Sequence, residues 1–289
     1  MGASTTTVSP NWPRRWLTEH VRLTKHHGLG NDFLVALEED NGPLRGDATM
    51  ARALCDRRRG LGADGFIIGA RSDDPSVDVV MHLWNADGSR AEMSGNGIRC
   101  LAQALAMSRD EHEATYLAMT DAGARELVVR DDAEHRLASV RVSMGRVAPG
   151  PVIPPSVAER LVDDRHATVD MGNPHLVVLV PDLDAVDLVG TGAWLESQFD
   201  AGVNVEFIAP ADTDTIDLLV WERGAGVTEA CGTGAVAAAS QAHRWGLVGR
   251  SVRVVMPGGA ADVLLPADDA DEPLLIGPAQ HIATIELDV

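Results

Sequence analysis

The sequence of 289 residues predicts an α/β (α+β) fold of two pseudo-symmetric domains produced by internal duplication, on three observations. First, landmarks recur in the same order at nearly one spacing. Trp84-Asn85 precedes Ser94 and Trp221-Glu222 precedes Cys231, and both pairs lie 137 positions apart. Asn31 and Asn173, each leading into an apolar run, are 142 apart, and Phe66 and Phe207 are 141 apart. Spacing this long means a doubled domain and not a solenoid, whose periods are roughly 20 to 50 residues. Second, two clusters of small residues each open an apolar helix: Met93-Ser94-Gly95-Asn96-Gly97-Ile98 and Ala230-Cys231-Gly232-Thr233-Gly234-Ala235. Third, short alternating runs between them read as strands.

Each element has a local reason. Residues 1–19, rich in Ser, Thr and Pro, read as a flexible N-terminal tail. Strands are expected at Val21–Leu23 and Phe33–Val35, joined by the turn-rich loop His26–Asp32. A helix over Met50–Arg58 buries Leu54 and Cys55, and Arg57-Arg58-Arg59 reads as its solvated end. Strands follow at Phe66–Ile68 and Val79–Trp84, then the turn Asn85–Ser89 and the first small-residue helix, to about Ser108. Residues 115–145 read as antiparallel strands and Pro149–Pro155 as a connection. The second half replays this pattern: strands at Ala167–Val169, Leu176–Val180, Asn204 onward and Ile216–Trp221, with a helix near Gly192–Phe199. The Ala-rich helix after Cys231 is small on all sides, which suits enclosure by a sheet, and Gly246 stops it. Strands are expected again at Val252–Val255, Val263–Leu265 and Ile282–Leu287.

Composition narrows the function. A net charge of −19 argues against a nucleic-acid surface, so an acidic ligand must be held by local donors. No apolar stretch approaches a membrane span. The three cysteines, Cys55, Cys100 and Cys231, give neither a disulfide framework nor a metal-ligand spacing. A reducing, cytoplasmic compartment fits.

The two helix openings read as anion cradles, because glycine leaves backbone N–H groups uncovered and a helix N-terminus adds partial positive charge. Ser94 and Cys231 stand at their lips. A thiol in that place is expected to have a lowered pKa, with His175 and Glu222 as tuning groups. Cys100 lies about 9 Å further along its helix and reads as core. Two cradles sharing one carboxylate would set the neighbouring carbon between residues 94 and 231. That suits proton removal from one face and return to the other.

At this point the motifs HGLGNDF, GLGADG, NADGS, GNGIRC, GNPH, GVNVEF, ERGAG and ACGTGA, in this order, closely resemble the diaminopimelate epimerase family. The resemblance covers nearly everything after residue 21. It implies a cofactor-independent isomerase, needing neither pyridoxal phosphate nor a metal, that interconverts LL- and meso-2,6-diaminopimelate in lysine and peptidoglycan biosynthesis. It implies a homodimer whose domains are each a curled mixed sheet around a central helix. The expected boundaries are 20–138 plus 280–289 for the first domain, to which the last strand returns, and 139–279 for the second. Carried over residue by residue, it makes Cys231 catalytic and places the reacting carboxylate on the backbone of Gly95, Asn96, Gly232 and Thr233. Asn31, Asn85, Asn173, Asn204, Glu222 and Arg223 would bind the substrate's other groups, and His175 and Glu222 would tune the acidity of the site.

The departures are local. The family's first catalytic residue is normally Cys, and here it is Ser94. Val227 stands where Glu is common, and Gly65 where some members have Gln. A hydroxyl is far less acidic than a thiol of pKa about 8.5, so Ser94 needs activation to act as a base. Three explanations stand: a working variant with altered rates in the two directions, an inactivating engineered change, or a relative with another substrate or a proton elimination. The alternatives are therefore a proline-racemase-like epimerase or dehydratase and a catalytically impaired amino-acid-binding homologue.

Overall fold

The computed structural model describes residues 20–132, 134–162, 165–268 and 271–288. The tail expected over residues 1–19 lies outside the described residues. Contacts divide the chain into two units, one running through Val140 and resuming at Pro278, the other spanning Arg141–Gly277. Among the described residues no helix is long and apolar enough to cross a membrane.

The first unit begins with β1 (His20–Gly28) and β2 (Asn31–Leu37), then α1 (Glu38–Asn41), α2 (Ala48–Cys55), β3 (Gly65–Ala70), β4 (Val79–Asn85) and β5 (Arg90–Ala91). It continues through α3 (Gly95–Arg109), β6 (Glu113–Thr120) and β7 (Gly123–Asp132). β1 and β2 form a hairpin, β2 runs parallel to β3, β3 and β4 are antiparallel, β4 runs parallel to β6, and β6 and β7 are antiparallel. Next come β8 (Leu137–Ser143), β9 (Ala148–Pro149), α4 (Pro155–Arg160), β10 (His166–Asp170), β11 (Pro174–Leu179) and α5 (Leu188–Ser197). They are followed by β12 (Asn204–Pro210), β13 (Thr215–Glu222), β14 (Gly226–Thr228), α6 (Gly232–Arg244), β15 (Ser251–Met256) and β16 (Gly259–Leu264). The second unit repeats the first unit's pairing: β10/β11 antiparallel, β11/β12 parallel, β12/β13 antiparallel, β13/β15 parallel, β15/β16 antiparallel. The last strand, β17 (Leu274–Asp288), pairs with β16 at its start and with β1 along its end.

Each unit winds its mixed sheet around one helix. α3 touches β1, β2, β3, β6 and β7, and α6 touches β10 to β13, β15 and β16. Every residue from Gly95 to Ala106 and from Gly232 to Ala242 is buried. Small side chains on all sides of α6 allow that enclosure. The outer face of the first sheet packs Leu34, Ala36, Phe66 and Ile68 on Met50, Ala51 and Leu54 of α2. In the second, Leu176, Val178, Val205 and Phe207 pack on Val157 of α4 and Leu195 of α5.

Four local expectations are corrected. The loop expected over His26–Asp32 is a two-residue hairpin, because Leu29 and Gly30 both take positive φ (55° and 86°), the geometry that matches strand twist. Asn31 therefore opens a strand. α2 stops at Cys55, not Arg58, because Asp56 turns its side chain back onto the N–H groups of Arg58 and Arg59. Arg57 is then no solvated helix end: it pairs with Asp32 and Asp64, each at 2.7 Å. The Pro149–Pro155 connection starts on the last residue of β9 and ends on the first of α4, delivering Pro155 to a first turn where a missing N–H costs nothing.

Beneath α3, His26 is fully buried. Its Nδ1 lies 2.9 Å from Gln103 Oε1, while Nε2 has no hydrogen-bond partner among the described residues. Gln103 donates its amide to Asp131 and the Arg136 carbonyl, which leaves only its oxygen for His26. Burial therefore keeps the imidazole neutral and lowers its pKa from 6.5 to about 3. The unfolded chain takes up a proton near pH 6.5 that the folded chain refuses. The contribution is full above 6.5 and is lost as pH falls toward 3, at up to about 1.4 kcal/mol per pH unit. Urea titrations are expected to show this slope between pH 6.5 and 4.5 in the parent. In His26→Asn, which is less stable at pH 7, the slope should shrink by that amount; an equal slope in both proteins would disprove the assignment.

Candidate active site

The same end of each sheet carries the candidate residues, for a topological reason. In the first unit Asn31 and Gly65 begin the parallel strands β2 and β3, and Asn85 ends antiparallel β4. In the second, Asn173 precedes β11, Asn204 begins β12 and Glu222 ends β13. Each unit then turns through a short strand into its central helix.

The two helix openings are built alike. Ser94 is the N-cap of α3 (φ −134°, ψ 124°), and its Oγ accepts from Gly97 N at 3.0 Å. Cys231 is the N-cap of α6 (φ −127°, ψ 117°), and its Sγ accepts from Gly234 N at 3.4 Å. An extended backbone with a side-chain acceptor is the usual N-cap arrangement, and serine is among its preferred residues.

In the first unit Asn96 Nδ2 donates to Asn31 Oδ1 at 3.3 Å, and Asn31 Nδ2 donates to Asp64 Oδ2 at 2.9 Å. Asp32 links Lys25, Arg57 and the N–H of Asp64. Burial works against its charge, but hydrogen bonds from Arg57 and Lys25 bring its carboxyl down to about 2. Asn85 uses its amide to close its own turn onto Ser89 Oγ at 3.0 Å.

In the second unit a titratable cluster surrounds the thiol. His175 and Glu206 are both fully buried, with Nδ1 2.7 Å from Oε1. His175 Nε2 lies 2.9 Å from Asn173 Oδ1, Asn173 Nδ2 donates to Thr233 Oγ1 at 3.4 Å, and Thr233 Oγ1 lies 3.5 Å from Cys231 Sγ. Glu222 accepts from Thr228 Oγ1 at 2.5 Å and also hydrogen-bonds Cys231. Asn204 donates to the Pro174 carbonyl and accepts from Arg223 N, which leaves one donor and one lone pair free. The Arg223 side chain is exposed and reaches the Ala201 carbonyl.

The expected lowering of the Cys231 pKa is corrected. Burial pushes the thiol well above its ordinary value, and the carboxylates of Glu222 and Glu206 push the same way. The hydrogen bonds from Thr233 and Gly234 oppose this and are outweighed. Glu222 is itself raised, first by burial. The thiol therefore rests protonated beside a carboxyl group able to take its proton. Cys55 and Cys100 are buried and pushed up to about 12, which matches their reading as core.

Glu206 and Arg99 are the residues that sequence reasoning missed. Both lie inside quoted motifs, GVNVEF and GNGIRC. The available signal was a charge at an inward strand position and another at a helix position otherwise surrounded by apolar residues.

The family model described as diaminopimelate epimerase matches residues 23–148 and 167–282. A diaminopimelate epimerase from Synechocystis is 37% identical over 277 residues, covering 91% of this chain and 97% of that one. One from Acinetobacter baumannii strain AYE is 36% identical over 282 residues, covering 93% and 98%. Among solved structures, a hydroxyproline epimerase from Agrobacterium vitis with bound trans-4-hydroxy-L-proline superposes with a TM-score of 0.70 at 18% identity, covering 95% of this chain and 94% of that one. A predicted epimerase from Pseudomonas aeruginosa gives 0.71 at 16% identity, covering 93% and 99%. These two structural likenesses concern the fold. Matched along both units by the family model, the chain belongs to the diaminopimelate epimerase family.

Proposed function

We propose that the protein interconverts LL-2,6-diaminopimelate and meso-2,6-diaminopimelate, in lysine and peptidoglycan biosynthesis, by removing and returning the α-proton without a cofactor. The observation that carries this reading is the pair of equivalent N-caps, Ser94 and Cys231, each on the first turn of a sheathed helix. The N–H groups of Gly95, Asn96, Gly232 and Thr233 hold the α-carboxylate and stabilise the charge that develops on it as the proton leaves. Cys231 exchanges the proton on one face and Ser94 on the other. The substrate's ammonium, placed nearer the sulfur than the carboxylate, lowers the thiol's pKa more than that of Glu222, so the thiol passes its proton to Glu222 and acts as base. His175 tunes the thiol from a distance, through Asn173 and Thr233. Asn31, Asn85, Asn173, Asn204, Glu222 and Arg223 select an amino acid with a second polar end. The enzyme works in the cytoplasm as a homodimer.

Proton NMR of LL-diaminopimelate with the protein in heavy water tests the reading. Loss of the α-proton signal with appearance of the meso form is expected. Exchange without inversion means that Cys231 works alone on one face. Binding without exchange favours an amino-acid-binding homologue, and exchange of proline or hydroxyproline instead favours a proline-racemase-like substrate.

A further inference from the structure

In the first unit the polar groups around the opening of α3 form one chain with a charge at each end. Arg99 is 0% exposed. Three of its five N–H groups go to uncharged oxygens: Nε to the Pro278 carbonyl at 3.1 Å, Nη1 to the Gly95 carbonyl at 2.9 Å, and Nη2 to Asn96 Oδ1 at 2.8 Å. Burial lowers its pKa from 12.5 to about 10, and among the described residues no carboxylate offsets that loss. At the other end Asp64 Oδ2 accepts from Asn31 Nδ2 at 2.9 Å and from Asp32 N at 3.1 Å, while Arg57 holds Oδ1 at 2.7 Å. Asn96 Nδ2 and Asn31 Oδ1 join the two halves at 3.3 Å.

A primary amide can turn over with almost no change in shape, so its polarity is set by its partners. A carboxylate only accepts, so Asp64 draws the NH2 of Asn31. A guanidinium only donates, so Arg99 draws the carbonyl of Asn96. The Asn31 carbonyl is then left facing the Asn96 NH2, and the Asn31 amide keeps one N–H and one lone pair in reserve. The β1–β2 hairpin closes over this arrangement. A Cβ at Gly28 would stand 3.0 Å from Arg99 Nη2 and 3.3 Å from Asn96 Cβ, so any side chain there requires these neighbours to give by a few tenths of an ångström. A buried cation without a counter-ion is a poor way to fill space, since an apolar side chain of that size avoids its desolvation. Here the charge lies against the first turn of α3, where it adds to the field of the helix N-terminus.

We propose that Arg99 and Asp64 are positioning residues for amino-acid capture. Arg99 holds an unmatched positive charge that the bound α-carboxylate neutralises, and the two residues together fix the orientation in which the Asn31 amide meets the ligand. This rests on the epimerase reading, which places the carboxylate at Gly95 and Asn96.

Steady-state kinetics with LL-diaminopimelate, alongside melting curves with and without it, test the proposal on the full chain. Arg99→Gln is expected to raise KM by about 100-fold, with kcat changed by less than about threefold and the ligand-induced melting shift lost. Arg99→Lys, which keeps the charge but not the fork, should bring KM back to within about tenfold of the parent. Asp64→Asn should raise KM by about tenfold. A lowered melting temperature in Arg99→Gln with KM unchanged makes Arg99 a core strut and overturns the proposal. If Arg99→Gln does not fold, Asn96→Asp decides: a carboxylate against Arg99 neutralises it internally, so the melting temperature should rise while KM rises by about 30-fold. An unchanged KM again overturns the proposal. If the parent does not act on diaminopimelate, the substrate reading has failed, and melting shifts with proline, hydroxyproline and glutamate read carboxylate capture directly. A shift in the parent that shrinks in Arg99→Lys supports the proposal. A parent that none of these amino acids stabilises overturns it.

Discussion

Replacing Cys231 by serine is expected to lower kcat/KM by roughly 10⁴-fold, the upper range for loss of a positioned acid–base group, and to leave the melting temperature almost unchanged. The fold survives because the variant copies a cap the protein already uses: Ser94 accepts from the third following N–H at 3.0 Å in the same backbone conformation. The chemistry fails because no other thiol can substitute, Cys55 and Cys100 being buried and pushed up to about 12. The same residue gives a pH signature. The raised thiol pKa means that alkylation of the protein without added substrate by iodoacetamide is slow at pH 7 and still climbing beyond pH 9. Added substrate, by bringing positive charge to Glu222, should move that profile to lower pH, provided protection by occupancy is scored separately. A profile of the free protein that levels off near pH 7 would show that the helix N-terminus dominates after all.

The sequence reading and the structure part company in an instructive way at this thiol. The position of Cys231 was legible, because glycines, an N-cap and an apolar run are local signals with a long duplicate to confirm them. Its acidity was not. Glu206 lies 25 residues before Cys231 and reaches it only because parallel pairing sets His175 beside Asn204, two residues before Glu206. Non-local pairing of that kind leaves no periodicity in the chain. The helix N-terminus favours thiolate, but burial and the nearby carboxylates, neither of which leaves a local signal in the chain, outweigh it.

The duplication itself was readable, since matched tryptophans, asparagines and phenylalanines at one spacing need only counting. The order in which antiparallel hairpins alternate with parallel steps was not, because a strand's residues say that it is buried and not which neighbour it has. Arg57 shows the limit from the other side. Three consecutive arginines look like a solvated run, yet Asp56 ends the helix and swings Arg57 onto Asp32 and Asp64. Asp32 and Asp64 are separated in the chain by α2 and meet only across the parallel β2–β3 pair.

Ser94→Cys is expected to raise kcat/KM by roughly 10²- to 10⁴-fold. Ser94 Oγ accepts from Gly97 N, and among the described residues no base is hydrogen-bonded to it. Ser94 therefore serves its face slowly, as an unactivated hydroxyl, whereas a thiol with ordinary pKa near 8.5 supplies thiolate within reach of neutral pH. The cost is a weaker cap, as at Cys231, where the N–H donates to sulfur at 3.4 Å. That is worth about 1 kcal/mol or less and a few degrees of melting temperature. The gain must be the same in both directions. Forward and reverse reactions cross one transition state, and the ratio of their kcat/KM values equals an equilibrium constant that no side chain alters. A serine that slowed only the LL-to-meso direction is therefore excluded for kcat/KM, whatever it does to the separate kcat and KM values. Measuring both directions for parent and variant checks this. Equal enhancement places residue 94 in the proton path, and no enhancement removes it from that path, leaving water or a neighbouring group to serve the second face.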